Sequence, residues 1–143
     1  MRTFALVVIA AWMLSACGSL SVVVPTPTRA LAISGFEMEV GPAVPSERRA
    51  LLDSLGVLPT MEAALRLAYP GGAGPLVHVT ITDFRAPRWG RAEMHAVVQV
   101  RGSNQEVLRS FDVDSVTPFT RQTRGWYVRR VSQGVVDQIA TEL

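Results

Sequence analysis

The chain has 143 residues, 48% of them hydrophobic and 18% charged, with a formal net charge of +2, two histidines and one cysteine. One cysteine allows no internal disulfide. All 14 basic residues are arginine, so P-loop phosphate binding and catalysis by a lysine amine are both excluded.

The first element is a charged start, Met1-Arg2-Thr3, followed by an apolar run from Phe4 to Leu14 and small residues leading to Cys17. Eleven apolar residues fall short of the roughly 20 needed to span a bilayer. The pattern is that of a secretory signal with a small-residue cleavage site. Leu14-Ser15-Ala16-Cys17 resembles the lipobox of bacterial lipoproteins. That resemblance implies a signal peptide over 1–16 and acylation of Cys17, which becomes the first residue of the mature chain. Two or more acyl chains hold stably where one holds only marginally. Gly18 stands where inner-membrane retention in enteric bacteria usually places Asp, so the implied location is the outer membrane, facing the periplasm. Cleavage would leave 127 residues with 13 arginines against 12 acids. That near-neutral balance gives no global charge argument for nucleic acid.

Ser19 to Ala30, with Pro25-Thr26-Pro27-Thr28, reads as the body of a tether over 17–30. Fully extended, it would hold a domain about 35 Å from the membrane. Val22 to Val24 fit a tether less well and suit an edge strand or a lipid surface. A single domain is expected over 31–143. Ala32 to Val40 alternate with period two, as a strand with one buried face does. Ser46 suits a helix N-cap, opening a stretch in which Leu51, Leu52, Leu55 and Leu58 share a face. Gly56 and Pro59 interrupt it, and Thr60 can cap a second set of turns with Met61, Ala64, Leu65 and Ala68 on one stripe, as one kinked helix or two short ones. The segment 70–75, Pro-Gly-Gly-Ala-Gly-Pro, is a loop.

Period two returns in Val77, Val79 and Ile81, again in Ala92 to Val100, and in Val107 to Val116. These three strands read as an antiparallel meander. Thr123 can cap a last helix with Val128, Val131, Val135, Ile139 and Leu143 on one stripe. The expected fold class is therefore α+β: a two-layer sandwich of a mostly antiparallel four-stranded sheet with two helices on one face, in the order β-α-β-β-β-α.

His78 and His95 fall on the polar face of neighbouring strands, and matching the inward residues sets His78 opposite Gln99 and His95 opposite Thr82. With no third histidine and the cysteine consumed, the pair makes no zinc set without carboxylates. Glu37 and Glu39 share the wet face of the first strand. There is no Gly-x-Ser-x-Gly elbow, and the glycine run at 71 precedes a strand rather than opening a helix. The expectation is a protein that is not an enzyme and needs neither cofactor nor metal.

Arginines concentrate late in the chain: nine against four acids from Arg85 to Arg130, but three against six from Leu31 to Phe84. Arg85, Arg88 and Arg91 flank Trp89 in one hairpin, and Arg121 and Arg124 precede Trp126 and Tyr127. Arginine suits bidentate contacts to phosphate and carboxylate, and tryptophan suits half-wet interfaces. Arg85, Arg88, Trp89, Arg91, Arg121, Arg124 and Trp126 are therefore the candidate partner-binding residues. The opposing expectation is that arginine stems cover the tryptophans and the two halves neutralise each other on folding.

The lipobox, the tether and the βαβββα order together resemble small α+β envelope lipoproteins of proteobacteria, including the lipopolysaccharide-assembly lipoprotein. That resemblance implies a membrane-anchored protein that binds an envelope protein partner or, alternatively, carries or senses an anionic lipid or glycolipid. It transfers no binding residue.

Overall fold

The computed structural model describes residues 20–24 and 32–143. The signal sequence and Cys17 lie outside the described residues. Among those described, the elements run β1 (Gly35–Val40), α1 (Ser46–Ser54), α2 (Val57–Ala68), β2 (Leu76–Arg85), β3 (Glu93–Arg101), β4 (Val107–Val116) and α3 (Arg124–Glu142).

The strands form one sheet in the order β1-β2-β3-β4. β2, β3 and β4 make the expected antiparallel meander. β1 pairs with β2 in parallel, from Gly35 opposite Leu76 to Val40 opposite Ile81, so the sheet is mixed. A parallel neighbour requires a crossover, which α1 and α2 supply. The expected two helices are three. Gly56 adopts φ 59°, the left-handed conformation glycine reaches without penalty, and this residue ends α1 and becomes the N-cap of α2.

The helix caps also differ from expectation. Pro45 precedes α1 with no side-chain cap, and Ser46 is already helical. Thr60 lies inside α2, where its hydroxyl donates to Gly56 O at 2.7 Å. Thr123 caps α3 as expected, accepting from the Trp126 N–H at 3.2 Å.

The three helices leave one face of the sheet open. On the covered face, Phe36, Val77, Val79, Ile81, Phe84, Met94, Ala96, Val98 and Val113 are buried against Leu52, Val57, Met61, Leu65 and the valines of α3. Burying a side chain of this size contributes roughly 1.5–3 kcal/mol. The α3 stripe is broader than expected, because Tyr127, Ser132 and Val136 are buried beside Val128, Val131, Val135 and Ile139. Gly134 permits that closeness: a Cβ there would meet Ser115 Oγ at 2.1 Å.

Part of the expected tether is docked. Leu20, Val22 and Val24 pack against the core. The Val23 N–H donates to Gln133 Oε1 at 2.9 Å, and Gln133 Nε2 donates back to Val23 O. No described helix is long and apolar enough to cross a membrane.

Candidate functional site

The β2–β3 turn and the segment between β4 and α3 meet at one end of the sheet. Gly90 and Thr120 exchange both backbone hydrogen bonds at 3.1 Å. This bridge sets Trp89 beside Phe119, with ring centroids 4.8 Å apart and planes at 77°, an edge-to-face pair. Both rings stay in water, 64% and 59% exposed. Rings this exposed gain little from burial.

The bridge is fastened from below by Tyr127, which is fully buried. Its hydroxyl donates to Thr120 O, lies 3.4 Å from Gly90 O and accepts the Gln122 N–H at 3.3 Å. One side chain thus ties the hairpin tip, the loop and the first turn of α3 together.

Arginines lie beside Trp89. Arg88, Trp89, Arg121 and Arg124 line an open groove of about 940 Å³ with Gln122 and Thr123. Arg85, Arg91 and Arg124 line a second, of about 460 Å³, where Arg48, Glu47 and Glu93 also lie. None of Arg85, Arg88, Arg91, Arg121 and Arg124 forms an ion pair with a described residue, whereas Arg48, Arg66 and Arg109 do, with Asp83, Glu62 and Glu142. The expectation that arginine covers tryptophan holds at Trp126, where the Arg130 guanidinium sits 6.0 Å from the ring centre. It does not hold at Trp89, whose ring meets Phe119.

Trp126 occupies a neighbouring groove of about 560 Å³ with Leu20, Leu55, Gln122, Thr123 and Arg129. The fold therefore gathers all seven sequence-expected partner-binding residues at one end. Composition pointed to the arginines and tryptophans. Phe119 and Tyr127 carry no such signal, because their parts depend on contacts between segments 30 or more residues apart.

The histidines lie elsewhere, on the open face. His78 is opposite Gln99 as expected, but His95 is opposite Asp83, because a bulge at Thr82 shifts the register by one. Carboxylates do stand beside both rings. His78 Nε2 is 3.0 Å from Glu39 Oε1 and its Nδ1 is 3.4 Å from Glu37 Oε2, while His95 Nδ1 contacts Asp114. The His78 contact, with Thr80 second, holds the Glu39 carboxyl below its ordinary value of 4.5. Among the described residues, no three or more His, Cys, Asp or Glu side chains are arranged to hold a metal.

No protein-family model matches the chain, and no curated protein matches its sequence. Three solved structures are similar in chain course. A candidate lipoprotein from Caulobacter crescentus CB15 shows 15% identity and a TM-score of 0.44, covering 73% of this chain and 86% of that one. A DUF330 protein from Xanthomonas campestris shows 12% identity and a TM-score of 0.48 over 85% of this chain and 87% of that one. A PelC variant from Paraburkholderia phytofirmans, crystallised as a dodecamer, shows 16% identity and a TM-score of 0.49 over 80% and 93%. With every TM-score below 0.5, the likenesses are loose and concern chain course alone.

Proposed function

We propose that this chain is a non-enzymatic, lipid-anchored protein of the bacterial envelope that works by binding, through the Trp89–Phe119 pair and the arginines beside Trp89. The observation that carries this reading is the pair itself. Two segments distant in sequence are fastened by a backbone bridge and a buried tyrosine, which leaves two rings in water, and Arg88, Arg121 and Arg124, which line a groove with Trp89, form no ion pair with a described residue. A rigid aromatic platform with unspent cations suits an anionic partner that also has a flat or apolar part. Anchoring through Cys17 follows from the lipobox, and Gly18 favours the outer membrane, facing the periplasm.

A carrier with an internal lipid pocket is less well supported, because Phe36, Ile81, Met94 and the facing residues of α2 and α3 pack together between helices and sheet. Catalysis by the histidines is likewise less well supported. Both rings are engaged with carboxylates on an open sheet face, away from the three grooves.

The test is mild crosslinking in living cells, followed by recovery of the lipoprotein and analysis of both protein and lipid adducts. The wild type is expected to yield adducts that Arg88→Glu combined with Trp89→Ala abolishes at equal membrane abundance. Identical adduct profiles would contradict the reading.

A further inference from the structure

We infer that the arginine-and-aromatic end lies directly on the anionic headgroups of the membrane that carries the anchor, with Leu20–Val24 as a fixed strap rather than slack tether. This rests on the reading of Cys17 as the acylated residue. It goes further by assigning the surface its occupant.

The course of the strap is the first argument. Leu20 lies in the groove formed by Leu55, Thr123, Trp126 and Arg129, at the first turns of α3. Val23 is clamped further along the same helix, its N–H and C=O both held by the Gln133 amide. Gln133 is itself oriented by a 2.7 Å bond from Nε2 to Asp137 Oδ1. The segment from Leu20 to Val23 therefore runs alongside α3 in the helix's own direction, with Leu20 at the helix's N-terminal end. Apolar contacts of Leu20, Val22 and Val24 with the core add to the clamp.

Reach is the second argument. Only Gly18 and Ser19 separate Cys17 from Leu20. Three residue steps span at most about 11 Å. An acylated Cys17 sits at the lipid surface, so Leu20 must lie within that distance of it. Gln122 and Thr123 line both the Leu20 groove and the groove of Arg88, Trp89, Arg121 and Arg124, so the two adjoin. A slack tether of about 35 Å would leave orientation free. A docked strap fixes which end faces the bilayer.

Chemistry is the third argument. Tryptophan favours the headgroup level, where its amphipathic ring spans apolar and wet surroundings. Arginine stems lie along apolar surface while their guanidinium groups reach phosphates. Two acids, Glu47 and Glu93, share a groove with Arg85, Arg91 and Arg124, besides Arg48, which pairs with Asp83, and are outnumbered there. Because the strap is covalent, the contact is intramolecular, and weak individual interactions suffice.

The experiment uses the purified, lipidated mature protein in vesicles of phosphatidylcholine, alone or mixed with phosphatidylglycerol, with lipids that carry a quencher at headgroup depth. With the signal removed, Trp89 and Trp126 are the only tryptophans, and both lie at the end in question. Their fluorescence is expected to be quenched, most strongly with phosphatidylglycerol. Arg88→Gln with Arg121→Gln should shift the contact equilibrium roughly 30-fold toward release. Gln133→Ala should reduce quenching in neutral vesicles by freeing the strap. If the protein floats with vesicles and carries acyl chains on Cys17 but its tryptophans stay unquenched, the proposal is overturned and the anchor stands; the arginine end then awaits a protein partner. If it neither floats nor carries acyl chains, the anchor reading fails and the proposal with it.

Discussion

Replacing Tyr127 by Phe removes one oxygen from the centre of the candidate site and leaves the packing unchanged. The ring is fully buried and meets Trp126 edge-to-face at 5.4 Å, contacts that phenylalanine keeps. The hydroxyl's loss does not orphan the carbonyls beneath it, because Thr120 O and Gly90 O each retain the other's N–H at 3.1 Å. The Gln122 N–H loses its acceptor, but Gln122 is exposed and water can replace it. The expected cost is therefore that of one neutral hydrogen bond, about 1 kcal/mol. For a domain of this size that lowers Tm by roughly 4 °C. Tyr127→Ala adds a cavity and should cost about 3–5 kcal/mol. Thermal and urea unfolding of the lipidated protein in detergent, followed by circular dichroism, measures both variants. Adduct yield through Trp89 should fall in Tyr127→Phe, since the loops it fastens are looser. If Tyr127→Phe costs as much as Tyr127→Ala, or costs nothing, the fastening described for this residue is wrong.

Further outcomes follow from other contacts. Gly134→Val should destabilise by about 1–3 kcal/mol, because its Cβ would lie 2.1 Å from Ser115 Oγ and 3.0 Å from Ser115 Cβ. Gly125→Ala, with open space at the same distance, should stabilise α3 by up to about 1 kcal/mol; urea midpoints moving the same way in both would contradict this. The Glu39 carboxyl titrates below 4.5 in the folded chain, so its contribution is complete above about pH 4.5 and is lost as pH falls through the lowered value. Glu39→Gln should accordingly flatten the acid limb of the stability curve, and coincident limbs for variant and wild type would refute the His78–Glu39 contact. Cys17→Ala should move the protein from the membrane to the soluble fraction, as immunoblots of fractionated cells would show; an unchanged membrane share would remove the anchor.

Patterning made much of this fold legible. Val77, Val79 and Ile81 against Ala96 and Val98 placed the meander in its observed register up to Ile81, because one buried face fixes period two. The register beyond it was not legible, since a bulge at Thr82 is a backbone event that no residue type announces. The parallel pairing of β1 was hidden for a similar reason: alternation in Phe36, Met38 and Val40 reports a buried face and says nothing of a neighbour's direction. Gly56 announced the break between α1 and α2, and its left-handed conformation supplied it. At the candidate site, arginine density and tryptophan were visible in the sequence. What made them one surface was the Gly90–Thr120 bridge, a pairing between segments that β3 and β4 separate in sequence.

The central claim, that this end of the domain is the working surface, is tested most directly by photo-crosslinking from single positions in living cells. A photoreactive residue at 89 or 119 is expected to capture lipid or protein, while one at Ser103, in the exposed turn at the opposite end of the sheet, captures neither. Capture at 103 with none at 89 and 119 would contradict the account.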